Sequence, residues 1–204
     1  MKCWIPLGSL YLSAALTGCA ASQPANVTDI CAIFEDRRSW YKAARRSENR
    51  WGIPLAVNMA FIYQESAFQA RVKPARRKFL WIFPGARPSS AYGYAQALDT
   101  TWEEYLSRSG NLGGRRDKFD DAIDFVGWYN AMSRRTSGIA PHDAAGLYFA
   151  YHEGNGGYAR GSHLEKPWLL DTGSRVQANA QQFGAQYDGC RSDLEKNWFQ
   201  RLFS

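Results

Sequence analysis

From residue 28 onward, apolar positions recur at spacings of three and four, in stretches punctuated by glycine and proline. This is the pattern of a mainly helical chain. Residues 28–35 read as a short first helix with Thr28 as its N-cap. Residues 39–49 form a polar, basic helical stretch that stops near Gly52. Pro54 follows, where a helix tolerates proline in its first turn. The run from Leu55 to Glu65 is apolar on most sides and predicts a helix in the centre of the domain. Thr100 and Glu103 have the spacing of a capping box for a helix ending near Ser107. Residues 117–134 carry Phe119, Ala122, Ile123, Val126 and Tyr129 near helical spacing. Residues 142–152 and 174–186 are further helical candidates, and Ser192 with Glu195 predicts a second capping box opening a last helix. Residues 71–90 break the pattern. Arg71, Lys73, Arg76, Arg77 and Lys78 precede Phe79-Leu80-Trp81-Ile82-Phe83 and then Pro84-Gly85. A basic loop with a short strand or β-hairpin is expected there, either with its cations turned to the wall polymer or a lipid surface and Phe79, Trp81 and Phe83 packed on the domain or edging the cleft, or simply as a solvated loop. No internal repeat or heptad seam is present. The fold expected is mainly α, a single helical domain over residues 28–204 with a short β-hairpin or loop insertion.

The first residues carry a different signal. Lys2 precedes an apolar run over residues 4–16, shorter than the roughly 20 residues a membrane span needs but long enough for a signal-peptide core. The run ends in Leu16-Thr17-Gly18-Cys19, which resembles the bacterial lipobox. That resemblance implies removal of residues 1–18, lipidation of Cys19 and a tether over residues 19–27. Ala20 and Ala21 follow, with no Asp after the cysteine. By resemblance to sorted lipoproteins, this places the protein on the periplasmic face of the outer membrane. The chain has four cysteines. Cys3 leaves with the leader and Cys19 takes lipid, so Cys31 and Cys190 remain. In an oxidising compartment such a pair reads as a disulfide, the alternative being two unrelated buried thiols. Neither has a neighbour at metal-ligand spacing, so no metal is expected. The formal net charge of +6 asks for an anionic partner. An export signal makes nucleic acid a poor choice, and favours anionic lipid or the carboxylates of cell-wall peptides.

Glu65 ends the apolar helix, where partial desolvation raises a carboxyl pKa and suits it to donate a proton near neutrality. Taken alone, such a glutamate is usually just solvated. Three motifs follow one another, however: Gln64-Glu65-Ser66, Ala91-Tyr92-Gly93-Tyr94-Ala95-Gln96 and Ala150-Tyr151-His152-Glu153-Gly154-Asn155. Together they resemble the soluble lytic transglycosylase family, the goose-lysozyme-like muramidases, over about residues 50–160. The resemblance implies a lysozyme-like fold and cleavage of the peptidoglycan bond between N-acetylmuramic acid and N-acetylglucosamine, leaving 1,6-anhydromuramic ends. It also implies that no cofactor is needed. Glu65 matches the acid/base, Ser66 the serine near the substrate acetamido group, and Gln96 the glutamine lining the cleft. Tyr151 matches the tyrosine whose hydroxyl approaches the catalytic carboxyl. The chain departs from the family in Tyr94-Ala95, where Leu-Met is usual, in His152 for the customary Asn, and in a longer segment between Glu65 and Gln96. Tyr94 and His152 are carried as substrate-binding candidates on those reshaped walls. Tyr92, Tyr94, Tyr158 and Trp168 are either stacking faces for sugars or core and loop anchors. Gly154, Gly156 and Gly157 suggest a tight turn with positive backbone angles. Two other readings remain: a goose-type lysozyme, with Glu153 or Asp124 activating water, and a catalytically silent wall-binding lipoprotein.

Overall fold

The computed structural model describes residues 23–76, 78–79, 83–84 and 86–196. Residues 1–22, with the expected leader and Cys19, and the side chains of Arg77, Lys78, Phe79, Trp81 and Phe83 lie outside the described residues. The order is α1 (Ile30–Asp36), α2 (Arg38–Trp51), α3 (Leu55–Ser66), β1 (Lys78–Phe79), β2 (Phe83–Pro84), α4 (Asp99–Ser109), α5 (Phe119–Ser137), α6 (Ala144–Ala159), a 3-10 turn (Ser162–Glu165) and α7 (Pro167–Glu195). The protein is mainly helical, as its apolar spacing predicts. β1 and β2 form an antiparallel pair, with Lys78 opposite Pro84 and Phe79 opposite Phe83, so the expected hairpin is present.

Several helix ends differ from expectation. Asp29, not Thr28, caps α1: its Oδ1 accepts from the amides of Cys31 (2.9 Å) and Ala32 (3.1 Å), while Thr28 bonds Asn26 instead. Asp29 takes the role because its carboxylate meets two free amides at once. The Thr100–Glu103 box does not form. α4 begins two residues earlier, after Leu98, without a side-chain cap, and Asp99 of its first turn pairs with Arg116 at 2.7 Å. Nor does Ser192 open a helix. Pro167 starts α7, and the helix runs unbroken to Glu195, absorbing both expected C-terminal pieces. The glycine-rich stretch of α6 is not a turn. Only Gly154 has a positive φ (72°), kinking the helix, and Gly156 and Gly157 continue helically.

α3 sits where its composition sends it. Its residues from Leu55 to Ile62 are all buried, and it packs on α2, α5 and α7. A helix covered on every side needs no polar stripe. α7 backs the domain and packs on α1, α3 and α6. The expected disulfide joins Cys31 of α1 to Cys190 of α7, fastening the first helix onto the last. Among the described residues, no helix is long and apolar enough to cross a membrane.

Candidate active site

Glu65 lies in the last turn of α3, and the backbone just beyond it is unusual. Ala67 and Phe68 both adopt left-handed conformations, at φ 47° and 62°. Such residues cost about 1–3 kcal/mol each and persist only where packing enforces them. Packing does so here. The Phe68 ring is fully buried, with Tyr63 and Trp40 rings each 6.0 Å away, and the Ala67 carbonyl accepts from Gln23 Nε2 at 2.7 Å. The chain therefore turns sharply after Ser66 and leaves Glu65 at the helix tip.

Burial pushes the Glu65 carboxyl up from 4.5 to about 7, and a hydrogen bond from the Tyr148 phenol opposes that rise only in part. Among the described residues no second carboxylate acts on Glu65. The residue nevertheless keeps some exposure, as an acid that must meet a substrate requires. Tyr148 lies on α6, and its own pKa is raised by burial and by Glu65. Phe61, one turn before Glu65 on α3, is edge-on to Tyr148 and Tyr151, each at 5.4 Å, so apolar rings form the wall behind the acid.

Tyr148 was not among the sequence candidates. Tyr151 carried the role of orienting the carboxyl, but its hydroxyl donates to the Ala95 carbonyl at 2.5 Å, and it meets Glu65 only through charge. The signal was available in the spacing: Tyr148 and Tyr151 stand three residues apart on one helical face. Tyr148→Phe is expected to move the alkaline limb of the pH–rate profile to higher pH, because the lost bond favours ionised Glu65. It should also slow turnover roughly tenfold, the worth of one hydrogen bond to a charged group. A profile identical to wild type would remove Tyr148 from the site.

The other candidates fall into two sets. Ser66 is buried beside Glu65 and its hydroxyl donates back to the Ile62 carbonyl at 3.1 Å, which leaves only its lone pairs for a ligand. Gln96 is left-handed (φ 49°), and its Nε2 donates to the carbonyls of Val72 (3.0 Å) and Gly93 (2.8 Å). It thus clamps its own loop, and it edges a small cavity of ≈ 70 Å³ with Ala97, Leu98, Thr101, Phe125, Tyr129 and Tyr151. That loop needs Gly93: its φ is 82°, and a Cβ there would sit 2.1 Å from the Arg116 carbonyl oxygen. Ser66, Tyr151 and Gln96 thus gather around the end of α3 and the loop facing it.

Tyr94 does not join them. It is 1 % exposed and lies edge-on to Trp40 (5.6 Å) and Phe119 (5.7 Å), so its ring is core and offers no face to a sugar. Tyr158 is likewise engaged, stacked on His163 at 4.8 Å, with Phe149 stacked on the same imidazole at 4.9 Å. His152 lies on α6 with its ring edge-on to the exposed Trp168 at 5.0 Å and its Nδ1 2.9 Å from Glu153 Oε1. Glu153 also accepts from Lys166 Nζ (2.7 and 2.8 Å) and Ser162 Oγ (2.5 Å). These bonds, Lys166 foremost, hold its pKa down at about 2. A carboxylate so satisfied is a poor proton acceptor. Asp124 is similarly committed, accepting from Arg50 (3.1 Å), Trp51 (2.8 Å) and Tyr105 (2.8 Å). Neither stands ready to activate water. Among the described residues, no group of His, Cys, Asp and Glu is placed to hold a metal ion.

A helical domain whose central helix ends in a half-buried, near-neutral carboxylic acid is of the lysozyme-like class. The chain belongs to the transglycosylase SLT domain family, whose model matches residues 7–190. No curated protein matches the chain. Membership in this family points to lytic transglycosylase activity in general, with peptidoglycan as the substrate.

Proposed function

We propose that the protein cleaves the glycan strand between N-acetylmuramic acid and N-acetylglucosamine and closes the muramic residue into a 1,6-anhydro sugar. The observation that carries this reading is Glu65: one acid raised to about 7, with the Tyr148 phenol as its hydrogen-bond partner among the described residues. In the protonated state Glu65 gives its proton to the glycosidic oxygen as the C1–O bond breaks. The resulting carboxylate then takes the proton of the muramic 6-hydroxyl as that oxygen bonds C1. The proton returns to Glu65 and no water is consumed. Glycosidases that use an external water or an enzyme nucleophile commonly employ two carboxylates about 5–9.5 Å apart. Here Glu153 and Asp124 are locked into hydrogen bonds elsewhere. In this reading the Ser66 lone pairs, at Glu65's shoulder, hold the substrate acetamido group, and Gln96 and Tyr151 shape the opposite wall. The test is digestion of purified sacculi followed by mass analysis of the muropeptides. Ends lighter than reducing ends by one water are expected. Reducing ends alone would mean a hydrolase, and no release at all would mean a binding protein.

The same reading has the mature protein begin at Cys19, lipidated, with residues 19–27 as tether, on the periplasmic face of the outer membrane. Its support is the apolar run ending in Leu-Thr-Gly-Cys, and several acyl chains at about 0.8 kcal/mol per buried methylene make a stable anchor. Cys19→Ala should release the exported protein into the soluble fraction. Retention in the membrane fraction would defeat the anchor.

A further inference from the structure

The positive charge of the chain is unevenly placed. In the loop facing the end of α3, Lys73 Nζ and the Arg116 guanidinium lie over the Tyr92 ring at 5.0 and 5.4 Å. The Tyr92 hydroxyl reaches Asp117 at 3.5 Å, and Arg71 (3.8 Å) and Arg115 (3.0 Å) share that carboxylate. Arg87 joins them by donating to the Pro74 carbonyl, and Arg76 stands two residues beyond Pro74. Three carboxylates answer these six cations: Asp117, Asp99, which pairs with Arg116, and Asp121, which takes the Arg115 amide. The surplus of three is half of the formal net charge of +6. Lys73, Arg76 and Arg87 are exposed and meet no carboxylate among the described residues.

Two further observations point to a lipid surface as the partner. Leu98 and Leu112, beside Asp99 and three residues before Arg115, are 44 % and 78 % exposed, and a bilayer interface accepts apolar side chains next to cations. The second is the path of the chain. Gln23, the first described residue, donates through Nε2 to the Ala67 carbonyl at 2.7 Å, and Arg71 follows Ala67 by four residues. In the anchor reading the acyl chains sit on Cys19, and four residues span at most about 14 Å. The bilayer therefore comes within that distance of Gln23, on the side where the cations begin.

We infer that this surface docks on an anionic bilayer, its exposed lysine and guanidinium groups meeting lipid phosphates. The choice of a lipid partner rests on the anchor reading. Guanidinium forks suit phosphate oxygens, and basic groups close to an anionic leaflet are drawn onto it. Alone these contacts are weak and salt-sensitive. Joined to an acyl anchor they set the orientation that a tether leaves free. Val72, between Arg71 and Lys73, accepts from Gln96 Nε2 at 3.0 Å, so the docked surface also fixes how the cleft wall sits over the membrane.

The experiment takes the Cys19→Ala protein, recovered from the soluble fraction, and sediments it with phosphatidylcholine vesicles made with or without phosphatidylglycerol. At low salt it should pellet with the anionic vesicles only, and added salt should release it. Lys73→Gln with Arg76→Gln should lower partitioning roughly 25-fold, at about fivefold per cation near the surface. Lys73→Arg with Arg76→Lys keeps the charge and should bind like the parent. Arg134→Gln with Arg135→Gln, at the far end of the 19-residue α5, should change little. An equal loss from the two glutamine pairs would reduce the effect to net charge, and no loss from the first would leave the patch uninvolved. Both outcomes overturn the inference. So would a loss of binding to purified sacculi with none to vesicles, which would assign the patch to the wall polymer. If wild type carries no lipid at Cys19 yet the vesicle result stands, the anchor reading fails and the docking surface survives. Vesicle binding indifferent to Lys73 and Arg76 defeats the surface whatever the state of Cys19.

Discussion

Replacing Glu65 with Gln is expected to slow glycan release by about two orders of magnitude or more, since the amide keeps the shape and cannot donate the proton. The pH dependence follows from the same group. In the proposed mechanism Glu65 acts in its protonated form, so wild-type kcat/KM should fall as pH rises through about 7. Stability should move the opposite way on substitution. The folded acid titrates near 7 and the unfolded one near 4.5, so the folded state holds the extra proton between those values. By linkage, wild type loses stability progressively as pH rises from about 4.5 past 7. A glutamine carries no such burden. Glu65→Gln should therefore raise the Tm at pH 8 while leaving it little changed at pH 4, in the manner of an active site that trades stability for reactivity. A rate loss shared equally by Glu153→Gln, or a variant that loses stability at pH 8, would contradict the assignment.

Removing the disulfide should have the largest effect on the fold. Cys31 and Cys190 are separated by 159 residues, so the bond closes nearly the whole described domain into one loop. Chain-entropy arguments give an upper estimate of about 5 kcal/mol for such a loop, and native disulfides in secreted domains are commonly worth 2–5 kcal/mol. A single domain is stable by only about 5–15 kcal/mol in total. The bond also fastens α1 to α7, the helix on which α3 and hence Glu65 rests. Cys31→Ser with Cys190→Ser is expected to lower the denaturant midpoint sharply and to steepen the slope, because the unlinked denatured chain is more expanded and exposes more surface. The same shift should appear on reducing wild type, and non-reducing peptide maps should recover the two cysteines joined. An unchanged midpoint would show that the hydrophobic core holds the termini without the bond.

What the sequence disclosed depended on how local the cause was. α3 was legible because its apolar run, Pro54 and the break after Ser66 are all carried by neighbouring residues. Gly52 and Gly138, at φ 70° and 68°, end α2 and α5 for reasons equally local. Capping boxes failed because a spacing of serine or threonine and glutamate says nothing of which backbone amides remain free. Thr100 and Ser192 both fall inside helices that other residues start. Tyr94 was misplaced for a non-local reason: Trp40 from α2 and Phe119 from the start of α5 converge on its ring. Tyr148 escaped notice because α6 is apolar on most sides, and only its packing on Glu65 sets it apart from Tyr151. Glu153 offered itself as a second acid until Lys166 and Ser162, thirteen and nine residues away, were seen to bind it.

In the proposed mechanism Glu65 works alone, and the substrate's own 6-hydroxyl, not water, closes the reaction. Digesting sacculi with the purified protein in water enriched in oxygen-18 tests this directly. Muropeptides with 1,6-anhydro ends and no heavy oxygen at the muramic anomeric carbon are expected, their formation abolished by Glu65→Gln. Reducing ends that carry one oxygen-18 at that carbon would contradict it.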